Sequence, residues 1–156
     1  MQALSDMQRS ISNKNALKPY IYASVFIVYT ALSGIYLFLP PLLAILFVIF
    51  SKALKKEDSI SLLLVSFCLI IFEAQNGYVL FSTIIYFAFI YKYVIPKLNQ
   101  NFSCNICTKM ATVIFVYIGF FIFHLLLSNI FLFPLPNINY YIIYYIVIEF
   151  FIVSIL

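Results

Sequence analysis

Leu42-Leu43-Ala44-Ile45-Leu46-Phe47-Val48-Ile49-Phe50-Ser51-Lys52-Ala53-Leu54-Lys55-Lys56 is the segment on which the reading of this 156-residue chain turns. As a helix, the run from Leu42 to Leu54 is roughly 20 Å long, short against a hydrocarbon core of about 30 Å. Pro40-Pro41 stands before it and ends any helix arriving from upstream, because proline lacks an amide donor and disfavours helix at the preceding residue. Were the segment half of a kinked span, or a re-entrant loop, Lys52, Lys55 and Lys56 would face outward. Basic loops are retained on the cytoplasmic face, so the segment reads as a short crossing of its own. Such a crossing is expected to be buried among neighbours or to sit in locally thinned lipid.

The remaining basic residues agree with that orientation. Arg9, Lys14 and Lys18 precede the first apolar run, and Lys92, Lys97 and Lys109 bracket the connection between the fourth and fifth. The connections at Pro40-Pro41, Gln75-Asn76-Gly77 and Pro134-Leu135-Pro136-Asn137 carry no basic residue. The expected fold is therefore all-α: a polytopic membrane protein of about six transmembrane helices, two of them short, with both termini cytoplasmic. The spans read as Tyr20–Leu39, Leu42–Leu54, Ile60–Ala74, Tyr78–Ile95, Met110–Phe133 and Ile138–Leu156. Residues 1–18 form a cytoplasmic arm, either a short interfacial helix touching anionic lipid or a disordered tail, and 19–156 a single transmembrane domain. Glu57, Asp58 and Ser59 offer acceptors for the start of the third helix.

Composition limits the function classes. The chain is 65% hydrophobic and 9% charged, apolar surface that lipid solvates and a soluble domain of this size could not hide. No cleavable signal peptide is visible ahead of the first span. The net charge of +4 records the retained loops rather than nucleic-acid binding. No nucleotide loop, Ser/His/Asp array or intramembrane protease motif is present, so neither an enzyme nor a cofactor is expected. Cys68 lies inside an apolar run. Cys104 and Cys107 form a C-x-x-C that reads as ordinary reduced thiols, with a redox or intermolecular metal role as the alternative. No metal set is expected.

Ionisable groups inside a bilayer are costly unless paired, neutralised or facing a cavity. Glu149 lies near the middle of the sixth run and His124 just past the middle of the fifth, with Ser128 and Asn129 a turn further on. One reading is a proton path or cation site using Glu149 and His124. The other is an interhelical hydrogen bond from a protonated Glu149 that ties the fifth helix to the sixth. On that second reading Glu149→Leu leaves function largely intact. Glu73, Gln75, Asn76 and Gly77 gather polar or flexible residues at one outward turn, which reads as a solvated hairpin or a partner contact.

The segment from Pro40 to Lys97 resembles the rod-shape-determining membrane protein family MreD. A proline opens a short apolar helix, Pro41-Leu42-Leu43-Ala44-Ile45-Leu46, that ends in the basic turn Lys55-Lys56. The next helix ends in an acidic residue, Glu73, just before a glycine-containing loop, Gly77. An aromatic and aliphatic helix follows and ends at Lys92 and Lys97. The family usually has Asp where Glu73 stands, a glycine-bearing helix before it and a longer Gly-Ser loop after it; here those features are absent. The resemblance implies a non-catalytic scaffold of the bacterial inner membrane that supports cell shape and peptidoglycan side-wall elongation. Its partners would be an MreC-like bitopic protein and, through it, the SEDS glycosyltransferase and the class B transpeptidase. Glu73 and Gly77 would shape the turn and its contacts, so Glu73→Arg is expected to disturb partner binding more than folding. The alternative is a small transporter component, such as the substrate-binding subunit of an energy-coupling-factor vitamin transporter, which shares size and helix number.

Overall fold

The computed structural model describes residues 20–36, 38–131 and 140–155. The arm 1–18 and the turn Pro134-Leu135-Pro136-Asn137 lie outside the described residues. Helices α1 (Tyr20–Ile35), α2 (Leu43–Lys56), α3 (Ser59–Asn76), α4 (Ser82–Phe89), α5 (Ile95–Asn101), α6 (Asn105–Phe131) and α7 (Tyr141–Ile155) follow in order, with no strand among the described residues. A π-helical turn, Ile90–Val94, joins α4 to α5. They make one rod, so the described residues form six helical rods, of which α3 and α6 alone meet the length and hydropathy of a membrane span.

Local chemistry sets most of the boundaries. α2 ends in Lys55 and Lys56, cations that complement the partial negative charge of a helix C-terminus, and Glu57 closes it in a left-handed conformation (φ 54°). Asp58 alone of the three expected acceptors caps α3, taking the Ser61 hydroxyl at 2.7 Å and the Ser61 N–H at 3.4 Å. Those two bonds hold its carboxyl below the usual carboxylate range. Gly77 stops α3 at φ 68°, a conformation glycine adopts without a Cβ clash.

The rod that begins at Ser82 does not stop before Pro96, as the sequence suggested, but continues to Asn101. Proline cannot donate to the carbonyl four residues back and its ring crowds that carbonyl. Widening the preceding turn to π geometry, in which the Ile95 N–H reaches the Ile90 carbonyl, absorbs the conflict without a break.

α2, one of the short helices, is the best buried. Leu43, Ala44, Leu46, Phe47 and Phe50 are all in the core, and the helix packs against α3, α6 and α7. Aromatic side chains fill the space around it: Phe87 of α4 meets Phe47 edge-on at 5.2 Å, and Tyr86 meets Phe120 at 6.2 Å. Gly119 is required for that approach, because a Cβ there would collide with the Tyr86 hydroxyl, which donates to the Phe115 carbonyl at 2.7 Å.

Polarity is distributed inside out. Thr30, Glu73, Ser82, Thr83, Thr112, His124, Ser128 and Glu149 are buried, whereas α6 alone exposes Phe115, Ile118, Ile122, Leu126 and Ile130 in a stripe along its length. Contiguous exposed apolar surface of this kind marks a face that meets something other than water. α3 and α6 are long and apolar enough by themselves to cross a membrane.

The described lysines collect at one end of the bundle. Lys52 and Lys55 border the same groove as Tyr91, Ile95 and Thr112, and the Lys109 ammonium donates to the Ser154 carbonyl at 3.2 Å. Gln75 and Asn76 lie at the other end, beside Ser33, Gly34 and Leu39.

Candidate functional site: two buried carboxylates and the cavity between them

The first turn of α2 has no capping side chain of its own. Leu42, held at φ 56° after Pro40-Pro41, sends the chain into the helix with its amides unanswered by local groups. Glu149 of α7, 105 residues away, answers them: its Oε2 accepts the Ala44 N–H at 2.7 Å, and the amides of Leu42 and Leu43 also face the carboxylate. Its other oxygen accepts a short bond from the Tyr117 hydroxyl of α6. Glu149 is fully buried. A hydrogen bond joins the fifth and sixth spans, but Glu149 accepts it, from the Tyr117 hydroxyl, rather than donating as a protonated acid.

The same device recurs at α4. Phe81 enters it at φ 67°, again without a side-chain cap. Glu73, on the last turn of α3, takes the Phe81 N–H on Oε2 at 2.6 Å and the Thr83 N–H on Oε1 at 2.5 Å, with the Ser82 hydroxyl 3.1 Å away. Glu73 is fully buried, so arginine there would enter the core and disturb folding first, which corrects the expectation drawn from its place at an outward turn. For the same reason Glu149→Leu would strand a buried amide and a buried phenol rather than pass unnoticed.

His124 extends the Glu73 cap to α6. Its Nδ1 lies 3.2 Å from the Phe120 carbonyl, and since a carbonyl only accepts, Nδ1 carries a proton. Nε2 lies 3.2 Å from the Ser82 hydroxyl oxygen, which is also 2.6 Å from the Val79 carbonyl. One hydroxyl proton therefore has competing acceptors in Val79, Glu73 and His124. This is not a nucleophilic triad: the carboxylate sits on the serine rather than on the far nitrogen of the imidazole, where it would orient a base. The group ties α3, α4 and α6 together, and beside it the Thr83 hydroxyl is buried without a partner.

His124 and Glu149 do not meet; each has its own partners, so the structure does not bring them together as a cation pair site. Ser128 is buried on the His124 face, whereas Asn129 is exposed and stands apart from both. Gln75, Asn76 and Gly77 are exposed. The Asn76 side-chain amide donates back to the Phe72 carbonyl at 2.8 Å, and the Tyr78 N–H donates to the Glu73 carbonyl at 3.0 Å, closing the turn.

A cavity of about 280 Å³ opens between the two caps, bordered by Thr30, Ser33, Gln75, Asn76, Tyr117 and Tyr145, with no charged side chain in its lining. Tyr117 belongs to both the cavity and the Glu149 cap. On the opposite side Tyr78 lines the cavity and meets the His124 ring edge-on at 4.6 Å.

At the lysine end Cys104 serves α6 as a cap: its Sγ accepts the Cys107 N–H at 3.4 Å. The Cys107 thiol and amide hold Cys104 below the ordinary thiol range, and the same contact raises Cys107. Both thiols are free and exposed, Cys68 is free in the core, and no cluster of three metal-ligating side chains exists among the described residues.

Sequence reasoning singled out both carboxylates but missed Tyr117 and Ser82. Tyr117 precedes His124 by two helical turns and so shares its face, a signal available in the periodicity. Ser82 had no comparable signal. Comparison with known proteins finds no matching family, no matching curated protein and no matching solved structure.

Proposed function

We propose that the chain is a non-catalytic integral-membrane scaffold of the MreD kind, crossing the bacterial inner membrane six times with its lysine end in the cytoplasm. It would hold an MreC-like bitopic protein and, through it, the glycosyltransferase and transpeptidase of side-wall elongation. The observation that carries this reading is the α3–α4 turn. Glu73 and Gly77, the two positions that match the family pattern at this turn, spend their chemistry on it: one caps α4 and the other supplies the left-handed residue. The turn presents Gln75 and Asn76 outward as contact residues. The gathering of described lysines at the opposite end supports the orientation, and the exposed apolar stripe of α6 supports the lipid setting.

The cavity favours a second reading, a substrate-binding subunit of a transporter, because its uncharged polar and aromatic lining suits a small neutral ligand. Mild-detergent capture of the tagged protein from its native membranes separates the two. Recovery of a bitopic MreC-like protein with wall-elongation enzymes, reduced by Gln75→Lys/Asn76→Lys at unchanged protein level, supports the scaffold. Recovery of paired ATPase subunits overturns it.

A further inference from the structure

The lysine end carries a second recess, about 230 Å³, formed where α2, the π turn and α6 diverge. Its walls are Phe47, Val48, Tyr91 and Ile95, and its rim holds Lys52 and Lys55, successive on one face of α2. The π turn contributes to the opening: it carries Tyr91 and widens the rod just before Ile95, and such insertions recur at functional sites. Neither ammonium is in an ion pair among the described residues.

We propose that this groove is a binding site for an anionic phospholipid, with an acyl chain along Phe47, Val48, Tyr91 and Ile95 and the headgroup phosphate at the rim, beside the exposed Lys52 and Lys55. Charge and shape together select that occupant. A zwitterionic lipid would leave two ammonium groups without net compensation, and a soluble anion would leave the apolar walls unfilled. Basic pockets between helices at the cytoplasmic face are the places where membrane proteins hold such headgroups. The site depends on the membrane setting, and not on the scaffold reading, because it is complete within one chain.

The test uses the full chain purified in mild detergent, titrated with palmitoyl-oleoyl phosphatidylglycerol or the matching phosphatidylcholine, with bound lipid counted by native mass spectrometry. Phosphatidylglycerol should be retained in preference to phosphatidylcholine. Lys52→Gln/Lys55→Gln should weaken that retention by roughly tenfold or more, given the strength of a surface lysine's attraction to anionic lipid. Lys92→Gln/Lys97→Gln removes the same charge outside the groove and should leave it nearly unchanged. Val48→Trp fills the groove while keeping both lysines and should abolish retention, with Ile95→Trp as the substitute if that variant does not fold. Equal loss in the two lysine double variants, equal retention of the two lipids, or full retention by the groove-filled variant would each overturn the proposal.

Discussion

Glu73 and Glu149 perform one task over very different lengths of chain. Each is a fully buried carboxylate that accepts amides at the start of a helix whose entry residue is left-handed and offers no cap of its own. Glu73 reaches forward 8 to 10 residues and closes a hairpin, so its bonds are nearly formed once the turn is made. Glu149 reaches back 105 residues and joins α7 to α2 and, through Tyr117, to α6. Where water cannot reach a stray amide, a helix end inside the bundle needs an acceptor from somewhere. The local cap organises a turn, and the distant one closes the bundle around α2.

Substitutions can break that comparison. Glu149→Leu should have the largest effect, on the order of 2–6 kcal/mol, since an amide and a phenol both lose their buried acceptor. Detergent-unfolding titrations should show it, and a midpoint equal to the parent's would mean that α2 does not depend on α7. Glu73→Leu should cost less, on the order of 1–3 kcal/mol, because the Phe81 amide is only part-buried and the Ser82 hydroxyl keeps the Val79 carbonyl, which leaves the Thr83 amide as the one fully stranded donor. It should also act locally: amide exchange should accelerate at Phe81 and Thr83 and leave Ala44 protected, whereas Glu149→Leu should expose Ala44. Exchange that rises equally at both sites would erase the distinction between a local and a distant cap.

Gly77→Ala should cost about 1–2 kcal/mol, because a Cβ at φ 68° meets the carbonyl in the left-handed region. Its effect should be additive with Glu149→Leu and non-additive with Glu73→Leu, which shares the turn. The smallest effect belongs to Asp58, an exposed cap. Its carboxyl is held below the usual range by Ser61, so its contribution is complete at neutral pH and is lost as pH falls through that lowered value. A stability–pH profile of Asp58→Ala should therefore run parallel to the parent's at neutral pH and converge with it in acid.

Much of this architecture was legible in the residues. Hydropathy and the prolines located the helical rods, although α6 begins at Asn105 rather than Met110 and the fourth rod at Ser82 rather than Tyr78, because long apolar runs favour helix and proline interrupts its bonding. The basic turns marked which ends belong together, and the packing of α2 among neighbours followed from its shortness. Glu73, His124 and Glu149 stood out because ionisable groups are rare in such segments. The extension of the fourth rod past Pro96 was hidden, since a π turn leaves no trace in composition.

What the sequence determined by itself is the class of the molecule: an all-helical, apolar chain with its charge confined to particular connections and a few ionisable groups between them. Those are properties of composition and order, and any fold of this chain inherits them. Tertiary structure alone decided that the outward-turn Glu73 points inward, that Glu149 serves α2 and Tyr117 rather than His124, and that a cavity lies between the two caps. The reason is that a buried carboxylate is assigned by which unsatisfied donors come within reach. Donors such as the Ala44 amide have no signature in the side-chain sequence.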